Sequence, residues 1–195
     1  VGIIGAGIQA KMQLEALLLV RNIKTAYIWS RDSKKTNTFV QNIKDTININ
    51  INACESPEET VNLSEIVITS TPSKSPIIKS EWLKKGLHIT AMGSDAEMKN
   101  ELDPKIIKEC DYYIPDSQSQ TSILGELNHA IKVGLVSAEK KYNELGSVII
   151  NPNLGRRNIN DVTIADLTGT GVQDTAIARH TYKISADKGF GIMIE

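Results

Sequence analysis

Short apolar runs alternate with amphipathic segments over the first 150 residues of the chain. The runs have the length of strands, and they are predicted at 1–4, 25–29, 47–53, 65–69, 87–92 and 112–114. A helical pattern follows the first run at once, with Leu14, Leu17 and Leu18 among its apolar residues. Strands that alternate with helices in this way predict an α/β fold, a Rossmann-type doubly wound parallel sheet.

Capping signals mark several of the predicted helices. Ser33 is a predicted N-cap, and Ser56 begins a capping box with Pro57 at the first helical position. Further helical patterns are predicted at 81–85, after Asp103, at 123–131 and at 136–145.

The pattern changes from Asn151 onward. A loop leads to a predicted strand at 162–167, and a second glycine-rich turn then opens a long helix that ends at Gly189. We expect residues 151–195 to leave the Rossmann domain (1–150) and to complete a second domain. Because the chain begins inside a predicted strand, we also expect it to be truncated, with the first part of that second domain missing.

Composition and charge exclude several classes of function. Lys and Arg number 22 and Asp and Glu 23, so neither a nucleic-acid face nor a membrane-surface stripe is predicted. No apolar run is long enough for a transmembrane helix. Cys54 and Cys110 form no C-x-x-C motif, which fits a reducing cytoplasm, and the three histidines lack the spacing of metal ligands, so no metal site is predicted.

The first turn carries a dinucleotide fingerprint. Residues 5–10 read G-x-G-x-x-A between a predicted strand and a predicted helix, as the motif requires. Gly5 can take the positive φ of a tight turn, and Gly7 lets the backbone approach a diphosphate. Similar turns also occur with nothing bound, but the flanking elements favour NAD(H), NADP(H) or a flavin dinucleotide. The predicted contacts here are Gly5, Gly7, Ile8, Gln9 and Ala10.

The end of the second strand bears on the choice of coenzyme. Ser30 and Arg31 stand where an Asp or Glu normally selects NAD. A hydroxyl and a guanidinium suit a 2′-phosphate, which slightly favours NADP over NAD. Alternatively, Arg31 stacks on the adenine or is merely solvated.

Ligands of such folds bind at the carboxyl ends of the strands. Cofactor contacts are therefore predicted in the turns that follow the fourth and fifth strands, at Thr69, Ser70, Thr71, Met92 and Gly93. An ordinary Ser/Pro turn explains the first of these segments equally well. Asp95, by the residues alone, is more typical of a turn or a helix cap than of a catalytic acid.

Three widely spaced motifs give a resemblance to a known family. They are the fingerprint, the block TAMGSDAEMKNEL, and the block DLTGTGVQDTAIA, supported by Trp29-Ser30-Arg31, LGELNHAI and Gly155-Arg156. With them the chain resembles the ornithine cyclodeaminase/μ-crystallin family over essentially its whole length. The residues of these blocks are most similar to those of the branch that contains iminosuccinate reductase and the cyclodeaminase-like protein of ectoine-utilisation operons.

The resemblance implies a Rossmann domain inserted into a substrate and dimerisation domain, in a homodimer or higher homo-oligomer that binds a small amino or imino acid. It implies that Asp95 is the catalytic aspartate and that Thr168 and Gly169 lie beside the nicotinamide and the substrate. Alternatively, these two residues form a plain helix entry. The family's residues that bind the substrate carboxylate correspond to no residue of this chain.

Three functions compete at this point. The first is an NAD(P)H-dependent imine reductase or amino-acid dehydrogenase, for example from iminosuccinate to aspartate. The second is a cyclodeaminase, an ammonia-releasing lyase that uses NAD catalytically. The third is a non-enzymatic ligand-binding protein of the μ-crystallin kind, which the presence of Asp95 disfavours because a binding protein needs no carboxylate there.

Overall fold

The structure is a computed structural model that describes residues 1–192. It contains one seven-stranded parallel sheet in the order β3-β2-β1-β4-β5-β7-β6. The strands are Gly2–Ile4 (β1), Thr25–Trp29 (β2), Asn50–Ala53 (β3), Ile66–Thr69 (β4), His88–Ala91 (β5), Tyr112–Pro115 (β6) and Thr163–Asp166 (β7).

Eight α-helices accompany the sheet in the described part of the chain. They are Ile8–Val20 (α1), Ser33–Lys44 (α2), Pro57–Asn62 (α3), Lys105–Glu109 (α4), Gln118–Thr121 (α5), Glu126–Lys132 (α6), Leu145–Ile150 (α7) and Gly171–Asp187 (α8); Ser80–Trp82 and Pro152–Leu154 are short 3-10 helices. Within residues 1–192, no helix is both long enough and apolar enough to cross a membrane.

Two hydrophobic clusters lie on opposite faces of the sheet. Successive residues of a strand point to opposite faces, and Ile3 belongs to one cluster while Ile4 belongs to the other. Leu14 of α1 and Val40 of α2 pack with Ile3. The cluster around Ile4 contains side chains of α3, α4 and α6, among them Val61, Ile106 and Leu127. The predicted doubly wound Rossmann sheet is therefore confirmed.

The strand at 163–166 corrects the expected organisation. It was expected outside the six-strand unit, but Ile164 pairs with Ile89 of β5 on one side and with Tyr113 of β6 on the other. Ile164 is fully buried there. The Rossmann sheet thus extends to Asp166, past the expected boundary at residue 150, because hydrophobic periodicity identifies a strand without fixing its neighbours.

Local differences from the sequence predictions have identifiable causes. The N-cap of α2 is Asp32 rather than Ser33, since the Asp32 side chain accepts hydrogen bonds from the amides of Lys34 and Lys35. Residues 133–144 contain no helix. Instead, the Gln118 side chain holds this segment: it donates to the Lys140 carbonyl at 2.6 Å and accepts the Tyr142 amide at 2.9 Å.

Candidate coenzyme and substrate site

The loops after β1, β4, β5 and β7 begin in register at one edge of the sheet. The Ser70 amide donates to the Ile4 carbonyl at 2.9 Å, and the Leu167 amide donates to the Ala91 carbonyl at 2.8 Å. The loops after β4, β5 and β7, together with the helices α1 and α8, surround a cavity of about 420 Å³. Its walls are formed by Gln9, Gln13, Ser70, Thr71, Pro72, Met92, Gly93, Asp95, Lys99, Leu167, Thr168, Gly169 and Gln173.

The fingerprint turn lies beside this cavity. Gly5 has φ +129°, and its amide donates to the Trp29 carbonyl at 2.8 Å. At Gly7, by contrast, an added Cβ would find no protein atom within 4 Å. Gly7 is also the N-cap of α1 and provides no side-chain cap, so the first amides of the helix receive no hydrogen bond from a capping side chain. Ala10 is fully buried against the sheet, whereas Ile8 and Gln9 are exposed.

The turn after β2 is close to the fingerprint but does not line the cavity. The Ser30 hydroxyl bonds to the Thr36 hydroxyl at 2.7 Å and donates to the Asp32 carbonyl at 3.1 Å, so it is already engaged within the turn. Arg31 is exposed. Of the two residues predicted to select the coenzyme, Arg31 is therefore the one that faces solvent.

Asp95 lies in the cavity wall together with Lys99. The Lys99 ammonium forms an ion pair with the Asp95 carboxylate, and 54% of the Asp95 side chain is exposed. The Ser94 hydroxyl donates to the Lys99 carbonyl at 2.5 Å, which closes the loop between them. A carboxylate in this position is accessible to a bound molecule and is held by one neighbouring cation.

Thr168 and Gly169 are held by a residue that sequence reasoning missed. One Asp116 oxygen accepts the amides of both residues at 2.8 Å, and the other accepts the Thr168 hydroxyl at 3.1 Å. Asp116 immediately follows β6, and a carboxylate at the carboxyl end of a strand was the available signal. The contact between Asp116 and the loop after β7 could not be predicted without knowing that β6 and β7 are neighbours in the sheet.

Three buried carboxylates behind the cavity were also missed. Glu101 accepts hydrogen bonds from the loops after β4 and β5, Glu126 accepts the Glu101 amide at 2.8 Å, and Asp166 accepts the Tyr113 hydroxyl at 2.6 Å. Burial raises the pKa of Glu101 and of Glu126, and it raises the pKa of Asp166 to about 7. No local pattern distinguishes such residues from solvated acids.

Thr69 belongs to the same interior. It is fully buried, and its hydroxyl donates to Glu101 at 2.6 Å. The side chain thus lies behind the cavity wall, while its neighbours Ser70 and Thr71 line the cavity.

Arg156 lies at the opposite edge of the sheet. Its guanidinium donates to the carbonyls of Gly86 and Leu87, just before β5, and to the Thr163 hydroxyl. His88 bonds to the same hydroxyl at 2.7 Å. Burial, followed by the nearby Arg156 and Arg21 charges, lowers the pKa of His88 to about 4. These contacts join the amino ends of β5 and β7 and are remote from the cavity.

A family model for ornithine cyclodeaminases and mu-crystallins matches residues 1–189. The chain belongs to this family. A Sinorhizobium fredii protein named as an uncharacterized cyclodeaminase is 48% identical over 99% of the chain. A putative dehydrogenase of Rhizobium meliloti is 49% identical over 90% of it. The chain spans 58% and 53%, respectively, of the length of these relatives.

Solved structures of the family share the fold. Iminosuccinate reductase of Paracoccus denitrificans in complex with NAD⁺ is 30% identical with a TM-score of 0.91. The match covers 100% of this chain and 59% of the reductase chain. Thermococcus litoralis Δ1-pyrroline-2-carboxylate reductase with NADH and L-proline is 27% identical with a TM-score of 0.92. That match covers 99% of this chain and 60% of the reductase chain. An archaeal alanine dehydrogenase dimer with bound NAD is 34% identical with a TM-score of 0.91, and the match covers 100% of this chain and 59% of the dehydrogenase chain.

Proposed function

We propose that the chain is the coenzyme-binding part of an NAD(P)H-dependent imine reductase or amino-acid dehydrogenase that acts on a small 2-imino acid. The observation that carries this proposal is the Asp95 carboxylate in the wall of the cavity that Thr168 and Gln9 also line. Reduction of an imine passes through a cationic iminium, and an anionic group in the cavity stabilises it. The reductases and dehydrogenases among the relatives support the same reaction class.

The fingerprint turn suits a dinucleotide diphosphate. The open space at Gly7 and the uncapped amides of α1 offer donors to phosphate oxygens, without a side chain in the way. We therefore assign the diphosphate to residues 5–10, the adenosine side to Ser30 and Arg31, and the nicotinamide side to the loop residues Ser70, Thr71, Met92, Gly93, Thr168 and Gly169. The bound coenzyme supplies the hydride.

Asp95 has the central chemical role in this proposal. A carboxylate about 4 Å from a developing cation contributes on the order of 4 kcal/mol at an effective dielectric near 20. Asp95 can also hold or deliver a proton to the substrate nitrogen through water, because its side chain is half exposed in the cavity wall. Lys99, which also lines the cavity, forms an ion pair with this carboxylate.

Iminosuccinate, reduced to aspartate, is the substrate we propose. The iminosuccinate reductase of Paracoccus denitrificans supports this choice. We further propose that α8, which has no buried residue, belongs to a substrate and dimerisation domain of a homo-oligomer. A cytoplasmic location is consistent with two free thiols, Cys54 and Cys110.

The test is coenzyme oxidation by the protein, expressed together with any coding sequence that flanks the chain. The oxidation of NADH and of NADPH is followed by the loss of their absorbance, with oxaloacetate plus ammonia and with pyruvate plus ammonia. Oxidation that requires both the keto acid and ammonia is the expected result. Absence of oxidation with every imine precursor overturns the reductase proposal.

A cyclodeaminase is the second candidate. It is favoured by the Sinorhizobium relative, which carries that name at 48% identity. Such an enzyme returns the hydride within one catalytic cycle, so it consumes no net NADH. Release of ammonia from ornithine with substoichiometric NAD⁺, without coenzyme oxidation in the assay above, assigns the protein to this activity instead.

A further inference from the structure

One buried carboxylate joins two walls of the cavity. The Glu101 side chain is fully buried and accepts four hydrogen bonds. Its Oε1 accepts the Thr71 amide at 2.6 Å and the Thr71 hydroxyl at 2.7 Å. Its Oε2 accepts the Thr69 hydroxyl at 2.6 Å and the Gly93 amide at 2.8 Å. The loops after β4 and β5 thus meet at a single group.

The chemistry of these contacts requires an acceptor at both oxygens. Two of the four donors are backbone amides, one on each oxygen, and a backbone amide cannot turn away or become an acceptor. The fit is also tight, since a Cβ on Gly93 would overlap the Glu101 carboxylate. An ionised carboxylate, which accepts at both oxygens, satisfies all four donors at once.

Glu101 is fixed from behind and does not reach the cavity. Its amide donates to Glu126 Oε1 at 2.8 Å, and Glu126 also accepts the Leu102 amide at 3.2 Å. Thr71 and Gly93, which Glu101 holds, do line the cavity. Glu101 can therefore influence a bound molecule only through the loops that it joins.

The geometry points to Glu101 as a positioning residue for the coenzyme: its carboxylate holds the loops after β4 and β5 in the arrangement that binds the nicotinamide side. This inference rests on the proposed coenzyme site. It assigns the alignment of the two loops to a group that never touches the coenzyme, and it explains why an acidic residue is buried behind a cavity meant for an anionic ligand.

Glu101→Gln is the decisive variant. In either orientation of the new amide, its NH2 group faces the backbone amide of Thr71 or that of Gly93, and one loop loses its anchor. We expect the dissociation constant for NADH or NADPH, measured by fluorescence titration well below the unfolding midpoint, to rise by about tenfold or more. Glu97→Gln is the same change at an exposed carboxylate paired with Lys132, and it should leave the dissociation constant within about twofold of the parent value.

A second pair of variants tests the same point if Glu101→Gln does not fold. Thr69→Val removes one donor to Glu101 without changing the cavity wall, whereas Thr69→Ser keeps the hydroxyl. Weaker coenzyme binding in Thr69→Val, restored in Thr69→Ser, supports the inference. A merely structural role lowers the unfolding midpoint of Thr69→Val but not its affinity.

The outcomes separate the two proposals. If the unsubstituted protein binds neither coenzyme, the proposed function and this inference both fail. If it binds a coenzyme, and Glu101→Gln and Thr69→Val bind it equally well, the function stands and only the role of Glu101 is overturned.

Discussion

The Asp116 carboxylate accepts the backbone amide of Thr168 at 2.8 Å. This contact links the loop after β6 to the loop after β7, two segments that are 52 residues apart in the sequence. It turns the second glycine-rich turn toward the cavity that the first one borders. Both turns therefore lie beside one cavity, although they stand near opposite ends of the chain.

Asp116→Ala should loosen this wall of the cavity. The variant leaves the amides of Thr168 and Gly169 without their acceptor, which costs about 1–3 kcal/mol of the free energy of unfolding. We expect faster hydrogen exchange in a peptide covering 166–171. Asp161→Ala is the matched control, because Asp161 accepts two amides in a loop at the other edge of the sheet. Unchanged exchange at 166–171 in Asp116→Ala would refute the anchoring role.

Asp95→Asn should separate chemistry from coenzyme binding. The amide is nearly isosteric but carries no negative charge, so stabilisation of the iminium is lost and turnover should fall by about 100-fold or more. The dissociation constant for the coenzyme should change by less than about threefold, since the fingerprint turn is untouched. Steady-state kinetics and a binding titration measure the two quantities. Turnover at the level of the parent protein rules out Asp95 as the charge-stabilising group.

Arg31→Gln should change the choice between the two coenzymes. The exposed guanidinium follows Ser30, whose hydroxyl is engaged with Thr36, so Arg31 is the group available to a 2′-phosphate. We expect affinity for NADPH to fall by about tenfold, with little change for NADH.

Lys44→Gln, which removes one positive charge at the far end of α2, controls for the general electrostatic effect. Equal losses for NADH and NADPH in Arg31→Gln would mean that Arg31 stacks on the adenine instead of reading the phosphate.

The sequence was informative where structure is local. Strand-length apolar runs predicted all seven strands within about three residues, and the G-x-G-x-x-A spacing located the turn at Gly5. The place of β7 was not predictable in this way, because parallel pairing with β5 and β6 joins segments separated by some 50 to 75 residues. The same holds for 133–144, where side-chain bonds to Gln118 replace a predicted helix.

In the candidate site, too, the residues with local signals could be predicted from the sequence and those held by long-range contacts could not. Ser70 and Thr71 were predictable because they directly follow a strand, where ligands of this fold bind. Asp95 was singled out only by the resemblance to the family, since an acid after Gly-Ser is by itself more typical of a turn. Glu101 and Asp116 were not predictable, because their partners lie 8 to 53 residues away and each acts by accepting backbone amides. An acid that supports a loop has no sequence periodicity by which to recognise it.

The half-buried His88 should make the protein sensitive to acid. Burial lowers its pKa to about 4 in the folded state, below the usual value near 6.5. The folded state thus binds fewer protons than the unfolded state over this interval, so stability is fully present above pH 6.5 and is lost as the pH falls toward 4. The full difference corresponds to on the order of 3 kcal/mol. Asp166, with its pKa raised to about 7, acts in the opposite direction, since its contribution is lost as the pH rises.

His88→Gln isolates the histidine from these opposing carboxyls. The variant should be less stable than the parent protein at pH 7, because glutamine replaces the ring between Thr163 and Thr90 imperfectly. The difference in the free energy of unfolding should shrink as the pH falls from 6.5 to 4, by at most about 0.7 kcal/mol for each half pH unit. Urea unfolding at intervals of half a pH unit measures it. His180→Gln, on the exposed helix α8, is the matched control. A deficit in His88→Gln that stays constant or grows toward pH 4 would show that His88 is not the acid-sensitive group.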